Sequence, residues 1–276
     1  MRIVFHGENA SSFSGGFAAL STGTFFQTGG AIAVGGQVSA SGASTLQGGT
    51  IAGGLDANGG ALVQAGTTTL SGIIEGNVNV TSTLAMDGGI VTDTLTLTGG
   101  TVNAIGGTTL NGAQLEIAGG STGTISANAG IALTLATDIV FGANTTTFLG
   151  AAGVAGTIVV GPGATASVND NSHVTIAGGT VVMNTNLQLF SDAGLNRVTT
   201  IDAGATLDVN GNLNRLSNLT GGGRITNAGA NTALRMESPS NSIFSGTIED
   251  GAGSLSVRKL GPGTLTLSGV NGYSGA

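Results

Sequence analysis

Residues 253–275 read G-S-L-S-V-R-K-L-G-P-G-T-L-T-L-S-G-V-N-G-Y-S-G. A Gly-Pro-Gly turn at positions 261–263 separates two short alternating runs, and turns of this composition commonly join extended segments. In the second run Thr264 and Thr266 alternate with Leu265 and Leu267, which places the hydroxyls on one face of a strand and the leucines on the other. The stretch therefore predicts two β-strands joined by a tight turn.

The same alternation of aliphatic and small polar residues recurs along most of the chain. No pattern with apolar residues at positions i, i+3, i+4 and i+7 persists for three turns, and each glycine inside a helix would cost about 1 kcal/mol. The period is two throughout, which predicts an all-β protein. The clearest copies are residues 91–98, 114–117, 131–135, 173–176, 205–209, 254–257 and 264–267.

The composition is that of a folded protein. The 276 residues include 52 glycines and 3 prolines, a content often found in disordered polymers. However, 40% of the residues are hydrophobic, only 8% are charged, and the mean hydropathy is +0.35. This much apolar surface offsets the conformational entropy lost on folding, which disordered segments cannot do. Tryptophan is absent and there is one tyrosine, so we predict a narrow core of Val, Leu, Ile and Ala.

The spacing of glycine pairs predicts a parallel β-solenoid. Six Gly-Gly pairs are separated by 19, 11, 29, 11 and 20 residues; they begin at Gly29, Gly48, Gly59, Gly88, Gly99 and Gly119. Stacked coils of about 20 residues with more than one strand each give this rhythm, and their corners need the positive φ that Gly and Asn adopt easily. We predict one domain over residues 1–276, with ~22 residues per coil, about a dozen coils and a length on the order of 60 Å. A β-sandwich is the alternative, because its short strands also recur roughly every 8–12 residues.

Aromatic residues concentrate near the N-terminus. Two interpretations are open: an N-terminal cap within residues 1–30 that covers the apolar end of the first coil, or large core residues in a wider first coil. The C-terminus shows no matching cap, so we expect a piece of something longer or an end that another copy covers. Five of the nine phenylalanines lie in the first 26 residues: Phe5, Phe13, Phe17, Phe25 and Phe26.

The charge balance argues against nucleic acid as a partner. The chain has 14 acidic and 7 basic residues, a net charge of −7, and only Arg258 and Lys259 are adjacent among the bases. Binding along a phosphate backbone needs clustered positive charge. Cysteine is absent, which excludes disulfides and thiolate metal sites.

One uncharged stretch, Ile139–Asn169, is long enough to span a bilayer. Glycines and Pro162 interrupt it, and its leucine and isoleucine content is low, which disfavours a transmembrane helix. We predict a pair of buried strands with glycine turns there, and no transmembrane segment in this chain.

The run from Phe244 to Gly275 closely resembles the autotransporter-associated β-strand repeat of bacterial autotransporter passenger regions. The specific part is K-x-G-x-G-T-L-T-L-S-G-x-N-x-Y-S-G, which begins here at Lys259 and ends at Gly275. It covers about a tenth of the chain. Looser likenesses at residues 203–211 and 221–227 extend the resemblance over the C-terminal third.

This resemblance implies a right-handed parallel β-helix that is exported and displayed or released at the bacterial outer-membrane surface. The chain departs from a complete autotransporter because no segment reads as a secretory signal or as a translocating barrel. The expected function is that of an extracellular structural or adhesive passenger fragment, with a host or bacterial cell surface, a matrix or further copies as partners. The expected alternative is a polysaccharide-active β-helix enzyme, either a lyase or a hydrolase.

Residues with catalytic chemistry are sparse. A histidine lies near an acid and two serines, but no nucleophile elbow accompanies this cluster, which comprises Ser167, Asp170, Asn171, Ser172 and His173. His6 and Glu8 are expected to be solvated. Carboxylates on successive coils could converge in a groove as calcium ligands or as acid and base pairs; the candidates are Asp87 with Asp93, Asp202 with Asp208, and Glu249 with Asp250. We name no catalytic, cofactor-binding or metal-ligating residue and expect no enzymatic activity.

Two Thr-x-Thr runs, at residues 92–98 and 264–266, resemble the threonine arrays of ice-binding solenoids. Such an array needs the motif in register on every coil, whereas the equivalent segments carry Glu116, Asp208 or Ser256. We therefore predict an ordinary solvent-facing β-face at these positions.

Overall fold

A computed structural model describes residues 2–5, 12–13, 16–20, 24–58, 62–169, 171–186, 197–212 and 215–275, and its side chains are described from Phe25 onward. Within these ranges the chain forms strands and no helix. Every strand pairing there is parallel. Because most strands pair with one in the preceding coil and one in the following coil, the fold is the predicted parallel β-solenoid. The β-sandwich alternative is wrong.

The strands are short, mostly two to six residues. The first eighteen are β1 (Arg2–Phe5), β2 (Ser12–Phe13), β3 (Gly16–Leu20), β4 (Thr24–Gln27), β5 (Ala31–Ile32), β6 (Gly36–Ala40), β7 (Ser44–Ile51), β8 (Gly54–Asp56), β9 (Leu62–Leu70), β10 (Ile73–Glu75), β11 (Val78–Val80), β12 (Thr83–Met86), β13 (Ile90–Val91), β14 (Thr94–Leu97), β15 (Thr101–Ala104), β16 (Thr108–Leu110), β17 (Gln114–Ile117) and β18 (Thr122–Ala127). The others are β19 (Ala132–Leu135), β20 (Asp138–Phe141), β21 (Thr146–Leu149), β22 (Thr157–Val160), β23 (Thr165–Val168), β24 (His173–Ile176), β25 (Thr180–Met183), β26 (Thr199–Ile201), β27 (Thr206–Asp208), β28 (Arg215–Ser217), β29 (Thr220–Gly221), β30 (Arg224–Thr226), β31 (Thr232–Glu237), β32 (Ser242–Phe244), β33 (Thr247–Ile248), β34 (Leu255–Leu260) and β35 (Leu265–Leu267).

Each coil has three faces. Face 1 carries β1, β4, the first halves of β7 and β9, β11, β14, β17, β20 and β23 and, by their order along the chain, β28, β31 and β34, which form a separate three-stranded sheet. Face 2 carries β2, β5, the second halves of β7 and β9, β12, β15, β18, β21, β24, β26, β29, β32 and β35. Face 3 carries β3, β6, β8, β10, β13, β16, β19, β22, β25, β27, β30 and β33. We call the turn between faces 1 and 2 corner 1, that between faces 2 and 3 corner 2, and that between faces 3 and 1 corner 3.

The stack has ten or more turns. From β2 to β35, face 2 alone contains twelve successive pairings, which at ~4.8 Å each give a length on the order of 60 Å. The coils differ in length: Val63 pairs with Asn79, sixteen residues later, whereas Asp138 pairs with Thr165, twenty-seven residues later. The predicted ~22 residues per coil lies within this range.

The interior is a continuous column of aliphatic side chains. On face 1, Leu95, Leu115 and Ile139 lie in register on successive coils and are at most 3% exposed. Fully burying one such side chain stabilises the fold by roughly 1.5–3 kcal/mol. Three phenylalanines, Phe25, Phe141 and Phe244, are also fully buried, so the core is less purely aliphatic than its composition suggests.

The N-terminal strands are stacked like the others. β1, β2 and β3 pair in parallel with β4, β5 and β6 respectively. Phe25 is fully buried and Phe26 is half-buried, while the side chains of Phe5, Phe13 and Phe17 lie outside the described part. Phe25 at least is a core residue of an ordinary coil.

Glycine is required at corner 2 for a reason that the sequence does not reveal. A Cβ at Gly246 would lie 1.9 Å from the carbonyl oxygen of Gly223, and one at Gly269 would lie 1.9 Å from that of Gly246. Neither residue has a positive φ; the coils simply approach too closely for any side chain. The predicted positive φ occurs elsewhere, as at Gly204 (φ 86°) and at Asn144 and Asn171 (both 57°). Other glycines at corner 2 in such contact include Gly53, Gly72, Gly156 and Gly178.

The uncharged stretch Ile139–Asn169 contributes to four strands, β20 to β23, rather than the predicted pair. It holds more strands because one 27-residue coil crosses all three faces. None of the described residues belongs to a helix long and apolar enough to cross a membrane.

Candidate functional site

The first two predicted acid pairs are not brought together. Asp87 lies at corner 2 and Asp93 at corner 3, on opposite sides of strand β13. Asp202 lies at corner 2, before β27, whereas Asp208 is the last residue of β27. Asp208 is also largely buried, and its carboxylate accepts hydrogen bonds from the backbone amides two residues later and one coil later, at 2.9 Å each. The carboxylate of Asp208 therefore shapes a corner, and neither pair is assembled by the fold.

The third pair, Glu249 and Asp250, is adjacent, but both members have structural partners. Glu249 forms an ion pair with Arg224 of the preceding coil, at 2.5 Å. Asp250 accepts hydrogen bonds from the Leu255 amide at 2.6 Å and from the Ser274 hydroxyl and amide. The Ser274 hydroxyl first, and then the Leu255 amide, hold the pKa of Asp250 below its ordinary value of 3.8. Asp250 thus fastens residues of the next coil.

The predicted histidine cluster forms part of corner 1. His173 accepts a hydrogen bond at Nδ1 from the Val198 amide at 3.1 Å. The Ser172 hydroxyl donates to the Asn169 carbonyl at 2.6 Å and accepts from the buried Arg197 at 3.4 Å. Among the remaining members, the Asn171 side-chain amide donates to Asn144 at 2.9 Å, and Ser167 is exposed on face 1. Asp170 lies outside the described residues, as do His6 and Glu8. The partners of Ser172 and His173 are those of a corner that joins successive coils.

Asparagine side chains perform the same fastening elsewhere. Asn227 is fully buried at corner 3 and contacts three coils. Its Oδ1 accepts from the Gly211 amide at 2.7 Å, and its Nδ2 donates to the Ala230 and Ser254 carbonyls at 2.8 and 3.0 Å. Backbone groups at corners lie outside the strand ladders, so such side chains satisfy polar groups that would otherwise be unpaired.

Metal ligation finds no support in the described ranges, where no group of three or more His, Cys, Asp or Glu side chains is close enough to hold an ion.

A groove crosses corner 2 over four coils near the N-terminal end. It has a volume of about 380 Å³, a floor of glycine backbone, and the side chains of Ile73 and Ile90, which are 42% and 38% exposed. A smaller adjoining cavity is lined by Asp56 and Glu75, which lie in register on neighbouring strands of face 3. Sequence reasoning missed this carboxylate pair because the two residues lie nineteen positions apart and only the register aligns them.

A threonine column on face 2 was also missed. The two Thr-x-Thr runs lie on different faces and do not form one array. Instead, single outward residues from successive coils align, and the Thr200 and Thr220 hydroxyls lie 3.0 Å apart. The aligned residues are Thr83, Thr101, Thr124, Phe148, Thr175, Thr200 and Thr220.

Face 1 carries an arginine column near the C-terminal end. Arg215, Arg235 and Arg258 lie in register on three consecutive coils. The sequence suggested scattered bases, because these residues are twenty and twenty-three positions apart. An ion pair of 3.3 Å joins Arg215 to Glu237. Lys259, next to the column, donates to the carbonyls of residues 260 and 261 at corner 1.

No protein-family model, no curated protein and no solved structure matches this chain. The role of the chain must therefore be inferred from its faces, its groove and its charged column.

Proposed function

We propose that this chain is an extracellular structural or adhesive β-helix, a passenger-type rod that acts at a bacterial surface in adhesion, self-association or matrix formation. The observation that carries the proposal is the uninterrupted series of twelve pairings on face 2. A stack of this kind is stiff, because each coil is held to both neighbours by backbone hydrogen bonds.

The faces of such a rod suit contact with an extended partner. Each face presents an outward side chain roughly every 4.8 Å along the axis, so one weak contact is repeated many times and the total affinity rises by multivalency. Backbone groups in the ladders are also inaccessible to proteases, which favours survival outside the cell.

The C-terminal repeat supports the passenger interpretation through what its residues do. In the run that resembles the autotransporter-associated repeat, Asn271 accepts from the Ile248 amide at 3.0 Å and Ser274 bonds to Asp250. Tyr273 packs against the core and Lys259 binds the carbonyls of corner 1. Asn271 and Ser274 therefore join successive coils, as a stacking repeat requires, while Lys259 stabilises the turn of its own coil.

The proposal is tested with beads coated with the purified folded chain. We expect these beads to cluster or to bind host or bacterial cells, whereas beads coated with an unrelated acidic globular protein of similar net charge do neither. If the coated beads neither cluster nor bind any cell surface or matrix preparation, the adhesive and structural role is wrong.

A polysaccharide-active enzyme is the second candidate, favoured by the Asp56 and Glu75 carboxylates beside the corner-2 groove. Paired carboxylates flanking a sugar chain are the usual apparatus of glycoside hydrolysis. This function predicts new reducing ends or unsaturated products from acidic or neutral polysaccharides, lost in Asp56→Asn and in Glu75→Gln but retained in Asp87→Asn. Absence of products from a broad polysaccharide panel would reject it.

A further inference from the structure

The arginine column is electrostatically unfavourable as it stands. Arg215, Arg235 and Arg258 are stacked on neighbouring strands about 4.8 Å apart, and like charges directly opposite each other destabilise a sheet. Glu237 neutralises part of this charge through its contact with Arg215. Among the described residues, neither Arg235 nor Arg258 forms an ion pair, so net positive charge remains on the column.

A different arrangement occurs on face 3 of the same coils. There Arg224 forms an ion pair with Glu249, which directly follows β33 on the next coil. The chain thus places a carboxylate close to Arg224, whereas, within the described ranges, Arg258 is exposed and Arg235 half-buried without an ion pair. The residues two positions earlier on face 1, Ala233 and Ser256, are small, so the guanidinium groups are not covered from that side.

The charge of the whole chain is also divided between its two parts. Residues 1–196 contain nine acids and one base, whereas residues 197–276 contain five acids and six bases. An anionic ligand is therefore repelled by most of the rod and attracted to the C-terminal coils. The arginine column gives that attraction a specific position and direction, because its three residues run parallel to the solenoid axis.

We propose that the arginine column binds a linear anionic polysaccharide laid along face 1, with its carboxylate or sulfate groups paired to Arg235 and Arg258. A guanidinium presents a planar fork of donors that matches a carboxylate or a sulfate in a bidentate manner. Single-stranded nucleic acid is the less suitable ligand, because its binding surfaces add aromatic side chains for base stacking and no aromatic residue lies on β28, β31 or β34.

The inference rests on the proposed surface role, since it names a ligand class for the rod. Its test is a binding measurement on the purified chain, and the result does not depend on whether coated beads cluster. The probes are polygalacturonate, dextran sulfate, neutral dextran and a short oligothymidylate, immobilised in turn and measured by interferometry at low and at moderate salt. The test variant is Arg235→Gln with Arg258→Gln, and the matched control is Arg224→Gln with its neighbour Glu249→Gln. Circular dichroism checks that both remain folded, which is expected because these side chains lie at the surface.

We expect the native chain to bind at least one of the two anionic polysaccharides, more weakly as salt rises, and not to bind neutral dextran. The test variant should bind at least roughly tenfold more weakly, since each arginine near an anionic surface contributes about a factor of five, while the control should bind as the native chain does. Polygalacturonate and dextran sulfate distinguish a carboxylate from a sulfate ligand.

Several outcomes overturn the inference. Undiminished binding by the test variant would show that the column is not the site, and the absence of binding to both anionic polysaccharides would show that it does not take this ligand. Tighter binding of the oligothymidylate with the same dependence on Arg235 and Arg258 would reassign the column to nucleic acid. A salt-sensitive oligomer in sedimentation, lost in the test variant while polysaccharide binding is absent, would reassign it to contact between copies.

Discussion

At the scale of single residues, glycine and asparagine decide how closely the coils stack. The abundance of both residues predicted frequent corners, and the positive φ of Asn144 and Asn171 agrees with that reasoning. The stronger requirement, at Gly246 and its neighbours along corner 2, is the approach of one coil to the carbonyl oxygen of the previous coil. This distance depends on the packed structure and cannot be read from a single sequence.

The substitution Gly246→Ala tests this requirement. We expect it to lower the free energy of unfolding by several kcal/mol, because its Cβ would lie 1.9 Å from a backbone oxygen that cannot move without shifting a coil. Gly107→Ala is the control, since its Cβ would meet nothing within 4 Å, and its effect should range from neutral to about 1 kcal/mol stabilising. Urea unfolding measures both, and equal effects of the two substitutions would contradict the close-contact explanation.

Asn227 offers a second residue-level test. Asn227→Ala should destabilise the protein by about 1–3 kcal/mol, since it removes the hydrogen bonds that one fully buried side chain makes to backbone groups on three coils. Asn231→Ala, which removes one exposed hydrogen bond to the Ser254 amide, should cost clearly less. Similar midpoints for the two variants in thermal unfolding would show that Asn227 does not join the coils.

At the scale of strands, the alternating pattern was sufficient to predict that strands exist. It was not sufficient to predict which residues of different strands lie in register. The opening stretch is an example: the runs around the Gly-Pro-Gly turn are β34 and β35, as predicted, but they lie on two faces and pair with β31 and β32 rather than with each other. Because coil lengths vary between sixteen and twenty-seven residues, the sequence spacing does not show which residues of successive coils lie side by side. For this reason the arginine column and the Asp56–Glu75 pair were not predicted from the sequence.

The attachment of the segment around Ser274 to the previous coil should depend on pH, because Asp250 holds it. The pKa of Asp250 in the folded protein is below its ordinary value of 3.8. The stability that the Asp250 carboxylate contributes is therefore complete above pH 3.8 and is lost as the pH falls through the folded-state pKa. The difference in thermal stability between the native chain and Asp250→Asn should therefore be largest near neutral pH and should shrink below about pH 4. A difference that stayed constant down to strongly acidic pH would show that the carboxylate charge has no part in holding Ser274.

At the scale of the whole molecule, the sequence was a good guide to the architecture. The parallel solenoid, the small-residue exterior and the approximate coil length all follow from period, glycine content and lack of tryptophan. The surfaces available to partners did not follow, because they arise only when distant segments are stacked. The chain is acidic before residue 197 and weakly basic after it. Because the coils are stacked in chain order, this difference in charge becomes a difference between the two ends of the rod.

Small-angle X-ray scattering tests the shape directly. The described stack predicts a rod with a length on the order of 60 Å and a scattering curve that shows a separate cross-sectional region at intermediate angles. The measurement should be made in moderate salt, where contacts between acidic and basic parts of different copies are screened. A compact, near-spherical particle of the same mass would contradict the solenoid.

The unequal coil lengths have a consequence for how such a protein changes over time. Coils of sixteen and of twenty-seven residues contribute to the same ladders, and doubling the length of a surface loop costs only about 0.6 kcal/mol in closure entropy. Short genetic insertions at a long corner, such as residues 150–156 between β21 and β22, would alter the surface there while the strand pairings of the faces stay in place. A long corner therefore tolerates changes of length more readily than a face, where every coil must keep its register with its neighbours.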